Sequence, residues 1–251
     1  MSDTELKTTF NTAAGLCEEI RPGYPEELIQ DIVELSGIND HSRILEVGCG
    51  TGKATQSFAE RGYELVCLDI GADLIAVAKE NLSGFPNVSF VVQAFEAWQP
   101  RSKFNLIISA TAFHWVDPEV RYLRASEALG SNGSLAIFSN QHVRKDEGFF
   151  AESQRLYDKY YSPITTNRPT HATNFPGVEA FHSPIRHVYP WTQTYSSEQY
   201  IKLLGTYSGH IALPEKNKCL LFEGIANLIE TKYDGRITKY YEAVLDFRQT
   251  N

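Results

Sequence analysis

One stretch constrains this chain more than any other: Ile44-Leu-Glu-Val-Gly-Cys-Gly-Thr-Gly52. It leads from a short apolar run, 43–47, through three glycines at alternate positions into a helix-patterned segment, 53–61, that stops at Gly62. Strand, glycine turn and helix in that order open a βαβ unit. Glycines at the turn permit positive φ and let a ligand approach the backbone, and the helix behind them offers unpaired N–H groups. Spacing narrows the ligand. A phosphate-binding loop, G-x-x-x-x-G-K-[ST], requires glycine where Val47 stands and Ser or Thr where Ala54 stands. The dinucleotide fingerprint G-x-G-x-x-G requires glycine at Lys53. What remains is E-x-G-x-G-x-G.

The same alternation continues. Pro25 suits a first helical position, and Leu28, Ile29, Ile32, Val33 and Leu35 form a stripe ended by Gly37. Strand patterns fall at 65–68, 88–92, 104–109 and 134–138, separated by helical patterns at 72–81 and 118–129. Buried strands alternating with helices predict a parallel sheet wrapped right-handedly by helices on both faces. After Asn140 the rhythm breaks: 141–190 holds five of the eleven prolines. A helix at 149–160 is the regular part. Strands at 185–194 and 236–247 and helices at 197–207 and 216–232 complete the chain. The expected fold is α/β: a Rossmann-like, doubly wound, seven-stranded sheet, mostly parallel with the last strand antiparallel, and a small cap inserted after the fifth strand. The corresponding division is a core at 1–140, a substrate cap at 141–190 and completion of the core at 191–251. Such a cap would overhang the strand C-termini, where open α/β sheets bind ligands.

Asp69 is the second informative residue. It ends the second strand, 19 residues after Gly50, where a carboxylate accepts from ribose hydroxyls; it could equally cap the helix from Ala72. Glu46-Val-Gly-Cys-Gly-Thr-Gly52 with Asp69 resembles the class I S-adenosylmethionine-dependent methyltransferases over about residues 10–140. Arg21-Pro-Gly-Tyr-Pro25, the segment from Phe104 to the Phe113-His-Trp-Val-Asp117 ending, and Tyr195-Ser-Ser-Glu-Gln-Tyr through Gly209 are similar to the type 11 branch, that of the trans-aconitate methyltransferases. The resemblance implies that the glycine loop holds the methionine portion of the cofactor, Asp69 the ribose, and Glu46 the loop itself. One departure stands out. Ala94 occupies the place where the family often has an Asp for the adenine amino group. Adenine reading then falls to the Phe95 N–H, the Glu96 carboxylate or no side chain, with Ile70 and Phe95 as apolar faces for the ring.

The full set of expected cofactor contacts is Arg21, Tyr24, Glu46, Gly48, Cys49, Gly50, Thr51, Gly52, Asp69, Ile70, Leu74, Ala94, Phe95, Glu96, Ser109, Ala110 and Trp115. S-adenosylmethionine is the expected cofactor and S-adenosylhomocysteine the product. His114, following the fourth strand, is the candidate general base, or else one side of an aromatic wall with Trp115. A hydroxyl acceptor needs a base and a carboxylate does not. Arg144, Arg168 and Arg186, with Tyr157, Tyr160, Tyr161 and Trp191, are cap residues suited to a carboxylic acid acceptor.

A net charge of −8 and no run of five or more Lys and Arg argue against nucleic acid as partner, leaving a small-molecule acceptor. No C-x-x-C pair occurs among Cys17, Cys49, Cys67 and Cys219, and His171, His182 and His187 lack ligand spacing and read as loop residues, so no metal is expected. The cysteines read as buried thiols. The N-terminus lacks an apolar core and no membrane-length run appears, so the expected location is cytoplasmic, without membrane attachment. Oligomeric state is not legible. Two other functions compete: a non-catalytic cofactor-binding module, and a nicotinamide-dependent oxidoreductase, against which Lys53 argues.

Overall fold

Helix α1 (Glu26–Ser36) starts after Pro25, buries Leu28, Ile29 and Ile32, and stops because Gly37 turns left-handed at φ 61°. The strand that follows, β1 (Arg43–Val47), is buried from Ile44 to Val47. The computed structural model describes residues 20, 22–161 and 175–251. Within these, β1 leads to α2 (Lys53–Ala59), β2 (Glu64–Asp69), α3 (Ala72–Asn81), β3 (Val88–Val92), β4 (Phe104–Ala110), a 3-10 turn at Phe113–Trp115, α4 (Arg121–Ala128) and β5 (Leu129–Val143). Then come α5 (Gly148–Tyr160), β6 (Ile185–Ser196), α6 (Ser197–Gly205), α7 (Ser208–Ile211), α8 (Glu215–Lys232) and β7 (Arg236–Gln249).

The seven strands lie in the order β3-β2-β1-β4-β5-β7-β6. β1 pairs in parallel with β2 and β4, β2 with β3, and β4 with β5. An antiparallel bridge joins Phe181 to Thr250, so pairing turns antiparallel at this end of the sheet. The architecture is the mixed, mostly parallel α/β sheet expected from the sequence. From β1 the chain winds outward to β2 and β3, then returns to place β4 on the other side of β1. That reversal makes a topological switch point, and a crevice opens at the carboxyl ends of β1 and β4. The glycine loop follows β1 and Thr111 follows β4.

The chain divides into two compact units. One comprises 23–140, 170–189 and 243–251. Its apolar core joins Leu45, Val47, Leu68, Ile107 and Leu135 from the strands to Tyr122 and Ala125 of α4. The other comprises 1–22, 141–169 and 190–242. Its core is helical and aromatic: Phe149, Tyr200, Leu203, Leu221, Ile225 and Ile229 close on Ile237 and Tyr241 of β7. Gly224 of α8 gives Leu156 of α5 its room, since a Cβ there would lie 2.9 Å from Leu156 Cδ2. A capping box starts α6: Ser196 Oγ accepts from Gln199 N–H at 3.2 Å and Gln199 Oε1 from Ser196 N–H at 2.9 Å.

Several local expectations are corrected. α4 begins at Arg121 rather than 118, because Asp117 folds a turn first: its Oδ1 accepts from Glu119 N–H at 2.9 Å and its carbonyl from Arg121 N–H at 3.0 Å. β5 spans 129–143 rather than 134–138; pairing continues past the Gly130-Ser-Asn-Gly133 turn signal through a register shift, with Asn132 at φ 59°. His187 lies within β6 and not in a loop, and its Nδ1 meets Asp31 Oδ2 at 2.9 Å, where Tyr189 Oη also donates at 2.6 Å. Cys49 and Cys67 are buried, but Cys219 is exposed on α8. Cys17, Arg21, Arg168 and His171 lie outside the described residues.

Candidate active site

The three loop glycines do different work. Gly48 sits at φ 72°, with its N–H on Leu68 O at 2.8 Å, and a Cβ there would lie 2.3 Å from Ala112 Cβ. It is glycine because the Ala112 methyl is pressed against it. Gly50 sits at φ 56°, and a Cβ there would meet nothing within 4 Å. Its bare face opens outward. Gly52, at φ 91°, is the residue before α2 and backs onto Leu82. Thr51 is buried, with its carbonyl accepting from Asn81 Nδ2 at 3.0 Å.

Asp69 draws this loop to the end of β2. Its Oδ2 accepts from Gly50 N–H at 2.9 Å and its Oδ1 from Gly71 N–H at 2.8 Å. It does not cap α3, whose N-cap residue is Gly71 with no side-chain bond. Burial raises the Asp69 carboxyl pKa, opposed by the N–H groups of Gly71, Gly50 and Ile70. A carboxylate has about four acceptor sites, so Asp69 keeps capacity beyond these backbone bonds.

Glu46 lies deeper, 1% exposed, accepting from Thr55 Oγ1 at 2.5 Å. Burial first, and then the charge of Asp69, push its carboxyl up to about 8 against the Thr55 bond. A nearby cation would return it to the ionised form. Cys49 is packed and its thiol is pushed up by Cys67 and by burial, so it is not a reactive thiolate.

The remaining expected residues separate into presented and packed. Ile70 is 47% exposed just past Asp69. Phe95 is 4% exposed within the sheet core, beside Trp98, so its ring is not presented alongside Ile70. Ala94 offers its carbonyl to Ala97 and Trp98 N–H, both at 3.1 Å. Glu96 Oε1 accepts from Asp117 N–H at 3.0 Å, joining the turn after β3 to the turn after β4. Leu74 is buried on α3. Ser109 Oγ donates to Val47 O at 2.8 Å, tying the ends of β4 and β1, and Ala110 is half-buried. His114 and Trp115 rings lie 5.1 Å apart, His114 exposed and Trp115 half-buried. Tyr24 Oη meets Thr111 Oγ1 at 2.8 Å, and its ring stands edge-on to Phe138 at 4.8 Å. Of the cap arginines, Arg144 and Arg186 are exposed.

Three groups escaped the sequence reading. Thr111 adopts φ 58°, a left-handed conformation that costs a β-branched residue about 1–2 kcal/mol. Nothing in Ala110-Thr-Ala112 announces it. Arg121, at the start of α4, is one wall of a pocket of about 250 Å³ that also takes in Thr111, Ala112, His114, Phe138 and Ser139. Lys239 is 3% exposed inside the helical unit. Its signal was present: with Ile237 and Tyr241 it falls on the inward period of a strand.

These residues fit a nucleoside-type cofactor. Gly50 leaves bare backbone, Asp69 retains acceptor capacity, and an apolar side chain stands open beside them. Among the described residues no group of three or more His, Cys, Asp or Glu is placed to hold a metal, and no helix is long and apolar enough to cross a membrane.

Comparison with known proteins specifies the cofactor. The family described as "Methyltransferase domain" matches residues 44–133, from β1 through the turn within β5. An uncharacterised methyltransferase of Mycobacterium tuberculosis is 26% identical over 232 residues, covering 92% of this chain and 89% of that protein. Malonyl-[acyl-carrier protein] O-methyltransferase 1 of Ilyobacter polytropus is 35% identical over 105 residues, 41% of this chain and 39% of that protein. Among solved structures, one assigned to the type II methyltransferases of Anaeromyxobacter dehalogenans shares the fold at TM-score 0.69 and 21% identity, covering 92% of this chain and 97% of its own. The [4+2]-cyclase SpnF also shares it, at TM-score 0.58 and 12% identity over 100% of this chain and 97% of its own. The fold therefore does not by itself define the reaction. The domain match falls on the glycine loop and Asp69, and the relatives that span the chain are methyltransferases. The chain carries a methyltransferase domain and is an S-adenosylmethionine-dependent methyltransferase, with S-adenosylmethionine as cofactor and S-adenosylhomocysteine as product.

Proposed function

We propose that this enzyme methylates an oxygen of a small carboxylic acid, as a member of the type 11 branch similar to trans-aconitate methyltransferases. The carrying observation is the pocket beside Ala112, the residue on which Gly48 packs. It adjoins the glycine loop and is open, as an acceptor site must be and as a purely cofactor-holding module would not require. The likeness to a protein named as an O-methyltransferase supports oxygen as the acceptor atom.

In this reading Gly48, Cys49, Gly50, Thr51 and Gly52 receive the methionine portion over Glu46, Asp69 takes the ribose, and Ile70 covers one face of the adenine. Arg21, Tyr24, Leu74, Ala94, Phe95, Glu96, Ser109, Ala110 and Trp115 complete or support that surface. S-adenosylmethionine, when bound, would supply the methyl group to the acceptor oxygen, with its sulfur as the leaving group. The chain's own residues then have to orient the acceptor and keep water out. A carboxylate has no proton to lose, so His114 lines and orients rather than abstracts. The segment 141–190, following β5, is proposed as the cap that selects the acceptor.

Two experiments test this. Gly50→Ala should cost about 1–2 kcal/mol of stability for its left-handed backbone and weaken S-adenosylhomocysteine by calorimetry roughly tenfold or more. Affinity unchanged by this substitution would remove the loop from the site. A methyl-transfer screen across small carboxylic acids, phenols and amines should give base-labile esters; methylation confined to amines or phenols would overturn the acceptor class.

A further inference from the structure

Arg121 occupies an unusual position for a guanidinium. Its Cζ stands 4.1 Å from the Phe175 ring centroid, 5.4 Å from that of Tyr122 and 5.6 Å from that of Phe113. Its Nε is buried without a hydrogen-bond partner. No carboxylate of the described residues pairs with it. Asp246, which also lines the pocket, is held by Arg248 Nε at 2.8 Å. Arg121 thus brings one positive charge and five donors into an otherwise aromatic cup, with its Nε aimed at nothing.

We propose that Arg121 is the acceptor anchor: its guanidinium takes a carboxylate of the acceptor in the pocket bounded by Thr111, His114, Tyr122 and Phe138. The argument favours this chemistry over other anions. A planar fork matches a carboxylate bidentately. One uncompensated cation suits a single negative charge, whereas a phosphate dianion would need a second cation and would face Asp246. Apolar walls from Phe113, Ile137 and Phe138 suit the hydrocarbon part of an organic acid. Burial also depresses the Arg121 pKa, the cost of holding this cation away from water before an anion arrives. The sequence had looked for such an anchor in the cap arginines; the pocket places it at the start of α4.

The inference rests on the acid-acceptor reading for its purpose, but its test is separable. Wild type, Arg121→Met and Arg121→Lys are titrated by calorimetry with hexanoate and phenylacetate, each against its primary amide, with and without saturating S-adenosylhomocysteine. Methionine keeps the aromatic cup filled, and lysine keeps the charge without the fork. Wild type should bind each acid at least tenfold more tightly than its amide. Arg121→Met should erase that preference and Arg121→Lys retain part of it, while S-adenosylhomocysteine affinity stays the same in all three. Equal acid affinity in wild type and Arg121→Met, or no acid-over-amide preference in wild type in either arm, overturns the anchor. Acids bound through Arg121 but never methylated would instead overturn the acceptor reading and leave the anchor standing.

Discussion

Two regions of this molecule bury ionisable groups, and they do it in opposite ways. At the glycine loop, Asp69 accepts from Gly50 and Gly71 N–H groups, and Glu46 accepts from Thr55. In the helical unit, Lys239 has one hydrogen bond, from Nζ to Tyr207 Oη at 3.2 Å, and the faces of Tyr207, Tyr241 and Tyr200 at 5.2, 5.3 and 5.9 Å. Nearby His210 meets Tyr157 Oη at 3.1 Å, while its Nδ1 is buried without a partner. The carboxylates are embedded in donors that position a backbone. The lysine is embedded in rings that stabilise a cation weakly and position nothing else. A buried charge with dedicated donors marks a site built around it; one without them is a cost the surrounding packing offsets.

The largest effect that sharpens this contrast is at Glu46. Its carboxyl is raised from 4.5 to about 8 in the folded protein. The folded state therefore holds its proton where the unfolded state has lost it. The contribution to stability is complete below pH 4.5 and is lost as pH rises through 8, about 5 kcal/mol across the window. Glu46→Gln should flatten that fall in the difference between denaturation curves, since glutamine still accepts from Thr55. S-adenosylhomocysteine, which carries an ammonium, should flatten it in wild type as well. A wild-type slope indifferent to this ligand would detach Glu46 from the cofactor.

Lys239 should behave with the opposite sign. Burial lowers it from 10.5 to about 8. The unfolded state binds the extra proton between these values, so the penalty is complete below pH 8 and disappears as pH rises toward 10.5. Lys239→Met should stabilise by about 3 kcal/mol near neutral pH, with the gain vanishing across that window. Loss of stability at pH 7 on this substitution would mean that the lysine answers a negative charge, and the contrast between the two regions would fail.

How much of this was legible beforehand follows from what each feature depends on. The parallel core could be read because β1, β2, β3 and β4 are short apolar runs punctuated by glycines, and such patterns are local. Glycine spacing located the loop for the same reason, yet it could not say that Gly48 is shaped by Ala112, 64 residues on in the chain, while Gly50 is shaped by open space. Phe95 looked like a ring face because it is aromatic and near the right turn; which way it points is decided by the core that receives it. Arg121 carried no signal, since its meaning lies in Phe175 and Tyr122 around it and in Asp246 being held by Arg248. Lys239 did carry one, and period-two patterning alone turned it inward.

The smallest expected effect concerns neutral groups at the loop end. Thr111 holds a left-handed backbone with its N–H on Phe138 O at 2.7 Å and its hydroxyl on Tyr24. If that hydroxyl bond keeps the strained turn in place, Tyr24→Phe should cost about 0.5–1 kcal/mol. Thr111→Gly removes both the bond and the strain, and relief of about 1–2 kcal/mol against loss of about 1 leaves stability nearly unchanged. The double variant should then lose no more than Thr111→Gly alone, because the threonine hydroxyl that Tyr24 meets is already gone. Additive losses in a thermal-denaturation cycle would show that Tyr24 acts elsewhere. The strain at Thr111 would then be held by the Phe138 carbonyl and the sheet, making this end of the site a property of the backbone, as the Asp69 loop is.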